Sequence, residues 1–263
     1  MKRSSRNSSK RSFLPINTEK ILSNRTESSI APSGVGTKFN PDGSVRPFPG
    51  NTIICHLPAD SALRVPLEAL YDALAQSEFA AFLALLPPAS WHMTIFEGVC
   101  DQVRQPGLWP YDLPLDATLA ECNDLFDRKL VHFDLGCELP LQMQLSGIRP
   151  LLNGITLRLV PARAPIEAEM RELRDRLSRL LNIRHPRHET YEFHLSIAYA
   201  IRFLSETQQE ELMRLIENVL PSASAEIVLG APEFCIFNDM FAFHRRFYLR
   251  KAKGHNHHVC ISG

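Results

Sequence analysis

Two short apolar segments of this chain, residues 91–96 and 193–199, carry the same polar pattern. Each places a histidine two residues before a hydroxyl side chain, and the four residues are His92, Thr94, His194 and Ser196. In an extended strand, residues i and i+2 share a face. Each segment therefore predicts a strand with one polar stripe on an otherwise buried surface.

The same order of elements precedes each motif. Residues 51–57 are an apolar strand candidate, and a leucine- and alanine-rich helical segment follows over about 61–86. In the second half, a strand candidate over 154–160 is followed by a helix from 165 to about 181 with one apolar stripe. Roughly 40 residues separate the start of the strand from the histidine in both halves, as expected of an internal duplication. This pattern predicts two similar lobes whose polar stripes face each other.

With these motifs the chain resembles the 2H phosphoesterase superfamily, which includes 2′,3′-cyclic nucleotide phosphodiesterases and 2′,5′ RNA ligase-like proteins. That family is defined by two His-x-Thr/Ser motifs, and the likeness spans about Gly36 to Arg250. Within the superfamily, the stretch from Gly36 through Thr52, together with residues 92–99, looks like a bacterial and fungal branch of uncharacterised function. The resemblance implies an α+β fold of two pseudo-symmetric lobes, with antiparallel sheets around a central cleft that the four motif residues line.

The chain is predicted to have three parts. Residues 1–35 are expected to be a disordered, basic and serine-rich tail. Residues 36–250 would form one domain, with lobes at about 36–150 and 151–250, and residues 251–263 a C-terminal tail. Beyond the two motif units, we expect a strand at 129–135, a helix over 205–220 and closing strands at 225–229, 233–237 and 246–249.

Paired imidazoles suit phosphodiester hydrolysis. One histidine takes a proton from water and the other protonates the departing oxygen, and either can serve as the base. Thr94 and Ser196 would donate hydrogen bonds to the phosphate oxygens. Because one imidazole must be neutral and the other charged, this mechanism predicts a bell-shaped pH profile.

The sequence therefore predicts a metal-independent phosphodiesterase acting on a 2′,3′-cyclic or related nucleotide or RNA-end phosphodiester. One alternative is an RNA-end ligase or trimming activity in the same cleft. Another is a non-catalytic module that binds nucleotides or RNA ends. A duplicated scaffold without any ligand is the remaining interpretation.

Three further residues are candidates for substrate binding. Phe96 and Tyr199 lie four and five residues after their motif histidines, where a ring could stack on a nucleobase, although both also suit core packing. Arg104 lies in a proline- and glycine-broken loop that could cover the cleft, so it could pair with phosphate or stay solvated. His56, on the first strand, is predicted to be a core or rim histidine.

No metal or other cofactor is expected. His185 and His188 have a His-x-x-His spacing, and His255, His257, His258 and Cys260 crowd the C-terminus. Neither set has the compact spacing of a structural zinc site. We therefore interpret the first as a solvated loop and the second as a loose tail.

Composition favours small ligands. The chain has 29 basic and 29 acidic residues, so it lacks the charge of a binder of long duplex nucleic acid. It has no apolar run of membrane-spanning length, and its six scattered cysteines are typical of reduced cytosolic thiols. We expect a cytoplasmic monomer that acts on nucleotides or RNA ends. The alternative is that the basic N-terminus is an organellar targeting signal.

Overall fold

The computed structural model describes residues 31–220 and 226–251, and within them it has four α-helices and nine strands. The helices are α1 (Arg64–Ala75), α2 (Leu119–Leu130), α3 (Ala164–Leu181) and α4 (Glu206–Val219). The strands are β1 (Gly50–His56), β2 (Leu83–Leu85), β3 (His92–Cys100), β4 (Gln142–Ile148), β5 (Gly154–Pro161), β6 (His194–Ala200), β7 (Glu226–Val228), β8 (Glu233–Phe237) and β9 (His244–Tyr248). The predicted α+β class is confirmed.

The strands form one antiparallel sheet with the motif strands at its centre. Eight of them follow the order β7-β4-β5-β6-β3-β1-β8-β9, and β2 pairs with β6. The predicted strand–helix–strand order is present in both halves, as β1-α1-β3 and β5-α3-β6. In the described strands, β3 and β6 pair at one position, where Met93 lies opposite Leu195. This single rung holds the two motifs side by side.

Both motif strands carry a β-bulge directly after the hydroxyl residue. On β1 the neighbours Ile53 and Ile54 pair with Phe96 and Thr94, so Ile95 is an extra residue of β3. On β5 the neighbours Ile155 and Thr156 pair with Ala198 and Ser196, so Ile197 is an extra residue of β6. An extra residue exchanges the faces of the side chains that follow it, up to the next irregularity of the strand.

Helices α3 and α4 form where the sequence predicts them, and α1 forms with one boundary changed. Helix α3 buries the predicted stripe, which consists of Ile166, Met170, Leu173, Leu177 and Leu181. Helix α4 begins with the predicted capping box of Ser205 and Gln208. The helical segment expected over 61–86 is shorter, because α1 ends at Ala75 and a 3₁₀ turn and the short strand β2 follow.

The strand predicted at 129–135 is wrong. Its first two residues end helix α2, which starts from a capping box formed by Thr118 and Glu121. The helix buries Cys122, Phe126 and Leu130, four residues apart on one face. The apolar alternation after the helix belongs to a turn rather than to a strand.

The predicted tails lie largely outside the described residues. Residues 31–35, which the sequence places in the first tail, pack against the domain, where the Ser33 hydroxyl donates to Asn153 Oδ1 at 2.9 Å. The cluster of His255, His257, His258 and Cys260 lies outside the described part. No helix of the described residues is long and apolar enough to cross a membrane.

Candidate active site

The four motif residues meet at the centre of the sheet. On β3, His92 pairs with His56 and Thr94 pairs with Ile54, so both motif residues share one face. On β6, His194 and Ser196 share a face in the same way. Because Met93 lies opposite Leu195 in an antiparallel pair, the register sets His92 beside Ser196 and Thr94 beside His194. The structure therefore brings all four together.

Both histidines are oriented by the same local hydrogen bond. His92 Nδ1 is 2.6 Å from the carbonyl oxygen of Ser90, and His194 Nδ1 is 2.8 Å from that of Glu192. A carbonyl oxygen only accepts, so Nδ1 carries the proton in each ring. Nε2 is then the atom that can accept a proton in the neutral imidazole. Each ring then keeps one nitrogen that can exchange a proton with a substrate, as an acid–base pair requires.

Burial keeps both imidazoles neutral at pH 7. It lowers the pKa of His92 to about 4, and the neighbouring His56 and His194 add to the shift. Burial also lowers the pKa of His194, to which the positive charges of Arg149 and Lys38 contribute. A bound anion acts in the opposite direction, because negative charge favours the imidazolium. The substrate phosphate would thus help to charge the histidine that serves as the acid.

We expect the His92 imidazole to titrate in NMR spectra with a midpoint near pH 4. Between that value and about 6.5, the usual pKa of an unfolded histidine, the unfolded chain binds the proton more readily than the native state. The free energy of unfolding should therefore fall as pH falls through this window, with His92 contributing up to about 1.4 kcal/mol per pH unit.

His92→Asn is the control for this titration, because it should reduce the slope of stability against pH. A His92 midpoint at or above 6.5 in the free protein would contradict the expectation. Inorganic phosphate should raise the midpoint if the anion binds beside the ring.

The two hydroxyls have different supports. Ser196 Oγ lies 3.5 Å from Thr156 Oγ1 on the adjacent strand. Thr94 interacts with the hydroxyl of Tyr191, which burial keeps protonated by raising its pKa. The Arg174 guanidinium lies 3.9 Å from the centre of the Tyr191 ring. Each motif hydroxyl therefore has a second hydroxyl as a polar neighbour.

Arg174 binds the backbone of β3 two residues beyond the position where β3 pairs with β6. Its side chain is 1% exposed, and its Nη1 donates to the Ile95 carbonyl at 2.5 Å and to Glu97 Oε2 at 3.2 Å. The Ile95 carbonyl belongs to the bulge of β3. This buried arginine therefore holds the bulge, and with it the position of Thr94.

A second ionisable group adjoins His92. His56 Nδ1 lies 2.5 Å from Glu233 Oε1, and Arg245 Nη1 lies 3.3 Å from Glu233 Oε2. The rings of His56 and His92 are 6.2 Å apart. The side chain of His56 is partly exposed, as the rim alternative of the predicted core or rim histidine requires, but its buried carboxylate partner, 4% exposed, was not expected.

One group of side chains within residues 31–220 and 226–251 has the spacing of metal ligands. The donor atoms of His56, Glu233 and Cys235 lie within 4.8 Å of one another. The Glu233 carboxylate already binds His56 and Arg245, which satisfies its charge. Hydrogen bonding accounts for the approach of His56 to Glu233.

The bulges decide which predicted substrate-binding rings face the motif residues. Phe96 pairs with Ile53, so it lies on the opposite face from Thr94, fully buried against His185 and His188. Tyr199 pairs with Gly154, which lies on the face of Ser196. A substrate role for Phe96 stays a prediction that its position does not favour, whereas Tyr199 is well placed.

Arg104 is occupied within its own loop. Its guanidinium donates to Asp101 and to the carbonyl oxygens of Leu115 and Ala117, and it stacks on Trp109 at 4.3 Å. No contact among the described residues joins it to a motif residue. Its predicted role in phosphate binding stays a prediction, and the contacts indicate that it orders this loop.

The loop of His185 and His188 is not solvated as expected. His188 is 3% exposed, and its Nε2 lies 3.0 Å from Asp175 Oδ1. Burial lowers the pKa of both histidines. Their rings pack on the edge of Phe96 instead of offering a ligand pair to solvent.

Comparison with known proteins agrees with this architecture. Residues 38–153 match the family model 2H-phosphodiest, described as "Domain of unknown function (DUF1868)". A conserved protein of unknown function from Agrobacterium tumefaciens strain C58 is similar in structure, with a TM-score of 0.75 and 26% identity over 89% of this chain and 100% of that chain.

A second solved structure, from Thermus thermophilus, shares 15% identity over 78% of this chain and 100% of its own, with a TM-score of 0.43, which is too low to support an argument. None of the curated proteins matches the sequence. Residues 38–153 match a 2H phosphoesterase family domain, and this match supports a phosphodiesterase-type fold.

Proposed function

We propose that this protein is a metal-independent phosphodiesterase that hydrolyses a 2′,3′-cyclic or related nucleotide or RNA-end phosphodiester. One observation carries the proposal. His92 and His194 lie on one face of adjacent strands, each with Nδ1 fixed by a backbone carbonyl and each beside a hydroxyl. Such a symmetric pair can serve the two sides of one phosphorus atom.

The reaction needs one proton to be taken and one to be given. A neutral imidazole accepts a proton at Nε2 from water, whose oxygen attacks phosphorus as the bond to the departing ribose oxygen breaks. The other imidazole, charged, donates its Nε2 proton to that oxygen. Thr94 and Ser196 donate hydrogen bonds to the non-bridging oxygens, which stabilises the charge that develops on them.

The protein is further proposed to be a cytoplasmic monomer that acts on small nucleotides or on RNA ends during RNA processing. The balance of 29 basic and 29 acidic residues supports small ligands over long duplexes. The cysteines of the described part are free, and four of these five are buried, which supports a reducing compartment.

The test is a substrate panel assayed in EDTA. It should contain the four nucleoside 2′,3′-cyclic phosphates, short RNAs with cyclic-phosphate ends and 2′,5′-linked dinucleotides. We expect turnover of at least one class, with retention of activity in EDTA and a single monophosphate product. Loss of activity in EDTA that Mg²⁺ or Zn²⁺ restores would contradict the metal-independent mechanism.

Calorimetry on the same panel separates the alternatives. Binding without turnover would identify a nucleotide or RNA-end binding module. Joining of RNA ends, detected as a longer product on a denaturing gel, would identify a ligase. Each result would overturn hydrolysis as the function of the cleft.

A further inference from the structure

A lysine outside both motifs lies beside the candidate active site. Lys38 Nζ donates to the Tyr199 hydroxyl at 3.0 Å and lies 4.7 Å from the centre of the Tyr199 ring and 5.3 Å from that of Phe48. Tyr199 is on the face of the sheet that carries Ser196. Lys38 is also close enough to His194 to lower the pKa of that histidine.

The position of Lys38 is fixed by its backbone and its neighbours. Its amide donates to the Gly34 carbonyl at 2.9 Å, and its carbonyl accepts from Arg46 at 2.8 Å. The next residue, Phe39, is fully buried with its ring 5.1 Å from that of Tyr199. The ammonium is therefore presented by an ordered turn, and no large rearrangement is needed to use it.

The charge of Lys38 has no acidic partner in the described residues. Its contacts are a phenol and two aromatic rings, and no carboxylate of the described part lies within ion-pair distance. Burial of the ammonium lowers its pKa, but Tyr199 and Cys100 together outweigh that effect and the net pKa is raised, so the side chain is charged at neutral pH. A partly buried cation without a counter-ion favours an anionic ligand.

We infer that Lys38 and Tyr199 form a second anion subsite, which binds a phosphate group of the substrate other than the one that is cleaved. Tyr199 follows Ser196 by three residues, and three residues of strand span about 10 Å. The second phosphate would lie within about that distance of the scissile phosphorus. The inference rests on the proposed function and names its substrate class as a cyclic or end phosphodiester with an additional phosphate nearby.

The aromatic surroundings fit this role. The Tyr199 hydroxyl accepts from Lys38 and contacts the Met240 sulfur at 3.9 Å, so it holds the ammonium on one side. The remaining ammonium protons can then turn to the ligand, because a lysine has three donors. Glu192 in part neutralises the charge of two nearby arginines, because its Oε2 lies 3.3 Å from Arg149 Nη2 and 3.9 Å from Arg158 Nε. The charge of Lys38 is therefore less compensated than theirs.

The experiment compares two ligands that differ by one group, a nucleoside 2′,3′-cyclic phosphate and its 5′-phosphorylated form. In the wild type we expect kcat/KM to be about tenfold or more higher for the 5′-phosphorylated ligand. In Lys38→Met the ratio should fall to near one, and Lys38→Arg should keep part of it. Lys251→Met is the matched control, since it removes one exposed lysine charge and should keep the wild-type ratio.

Affinity measured by calorimetry on His92→Ala separates the two proposals. A preference for the 5′-phosphorylated ligand that Lys38→Met removes supports the subsite even if no ligand is hydrolysed, in which case only the proposed function fails. Hydrolysis with equal use of both ligands overturns the subsite and leaves the function standing. A preference that survives in Lys38→Met, or no binding of either ligand, overturns the subsite.

Discussion

His92→Ala and His194→Ala should each lower kcat by roughly 10²–10⁴-fold, the usual contribution of a positioned acid or base. Each substitution removes the one ring nitrogen that can exchange a proton on its side of the phosphorus. The loss should appear in kcat rather than in KM, because binding depends on the remaining groups of the cleft. Steady-state kinetics on the best substrate of the panel gives this measurement.

The double variant provides a stricter test of the pair. If both histidines act in one step, the double variant should lose far less than the product of the two single losses, as groups that act as a unit do. His132→Ala is the matched control, since His132 is exposed in a turn. The kcat of this variant should equal that of the wild type. If His92→Ala has the activity and the far-ultraviolet circular dichroism spectrum of the wild type, the motif is not catalytic.

Gly154→Ala should be among the most destabilising substitutions in the protein. Gly154 has φ 125° and ψ −163°, a conformation that is essentially restricted to glycine. A Cβ atom there would lie 2.1 Å from the Ala198 carbonyl oxygen and 2.8 Å from Tyr199 Cα, both backbone atoms. Strain and overpacking together predict a loss of roughly 2–6 kcal/mol in the free energy of unfolding.

Gly147→Ala is the control that separates the two causes. Gly147 also has a positive φ, 142°, but a Cβ atom at this position would meet no atom of the described residues within 4 Å. It should lose only the strain, roughly 1–3 kcal/mol. The difference between the two variants in urea unfolding, about 1–3 kcal/mol, then measures the clash against β6. Equal losses in both variants would contradict the close approach of Gly154 to Tyr199.

The sequence predicted the motif strands well because their signals are local. Strict alternation puts His92 with Thr94 and His194 with Ser196, and no residue interrupts either pair. The same alternation fails one residue later. The bulges turn Phe96 away from the face that carries the motif residues and Tyr199 onto it. Neither extra residue, Ile95 or Ile197, is the glycine or polar residue that would have revealed a bulge.

Other parts of the site depend on contacts that are distant in the sequence. His56 and Glu233 meet because β1 pairs with β8 across almost the whole domain, and no local pattern encodes that register. Lys38 reaches Tyr199 from an irregular segment that precedes the first strand. Single-sequence reasoning cannot place such partners, because the register of a long-range strand pair is set by tertiary packing.

Local signals in the sequence indicate helix α2, whereas the sequence analysis predicts a strand at 129–135. The capping box of Thr118 and Glu121 and the apolar spacing of Cys122, Phe126 and Leu130 are both local signals of a helix. The alternating apolar residues that follow it favoured a strand. The helical spacing, which covers more residues than the alternation, predicts the observed structure.

The single rung between β3 and β6 has a mechanical consequence. Few backbone hydrogen bonds join these two strands. The relative position of the two histidines therefore depends largely on the Met93–Leu195 pair and on the buried Arg174, which contacts Ile95 and Tyr191. A phosphate that binds both motifs would link β3 and β6 across their one paired position. Ligand binding should therefore suppress local opening of the sheet between β3 and β6. The affinity for the ligand and the free energy of this local opening are then thermodynamically linked.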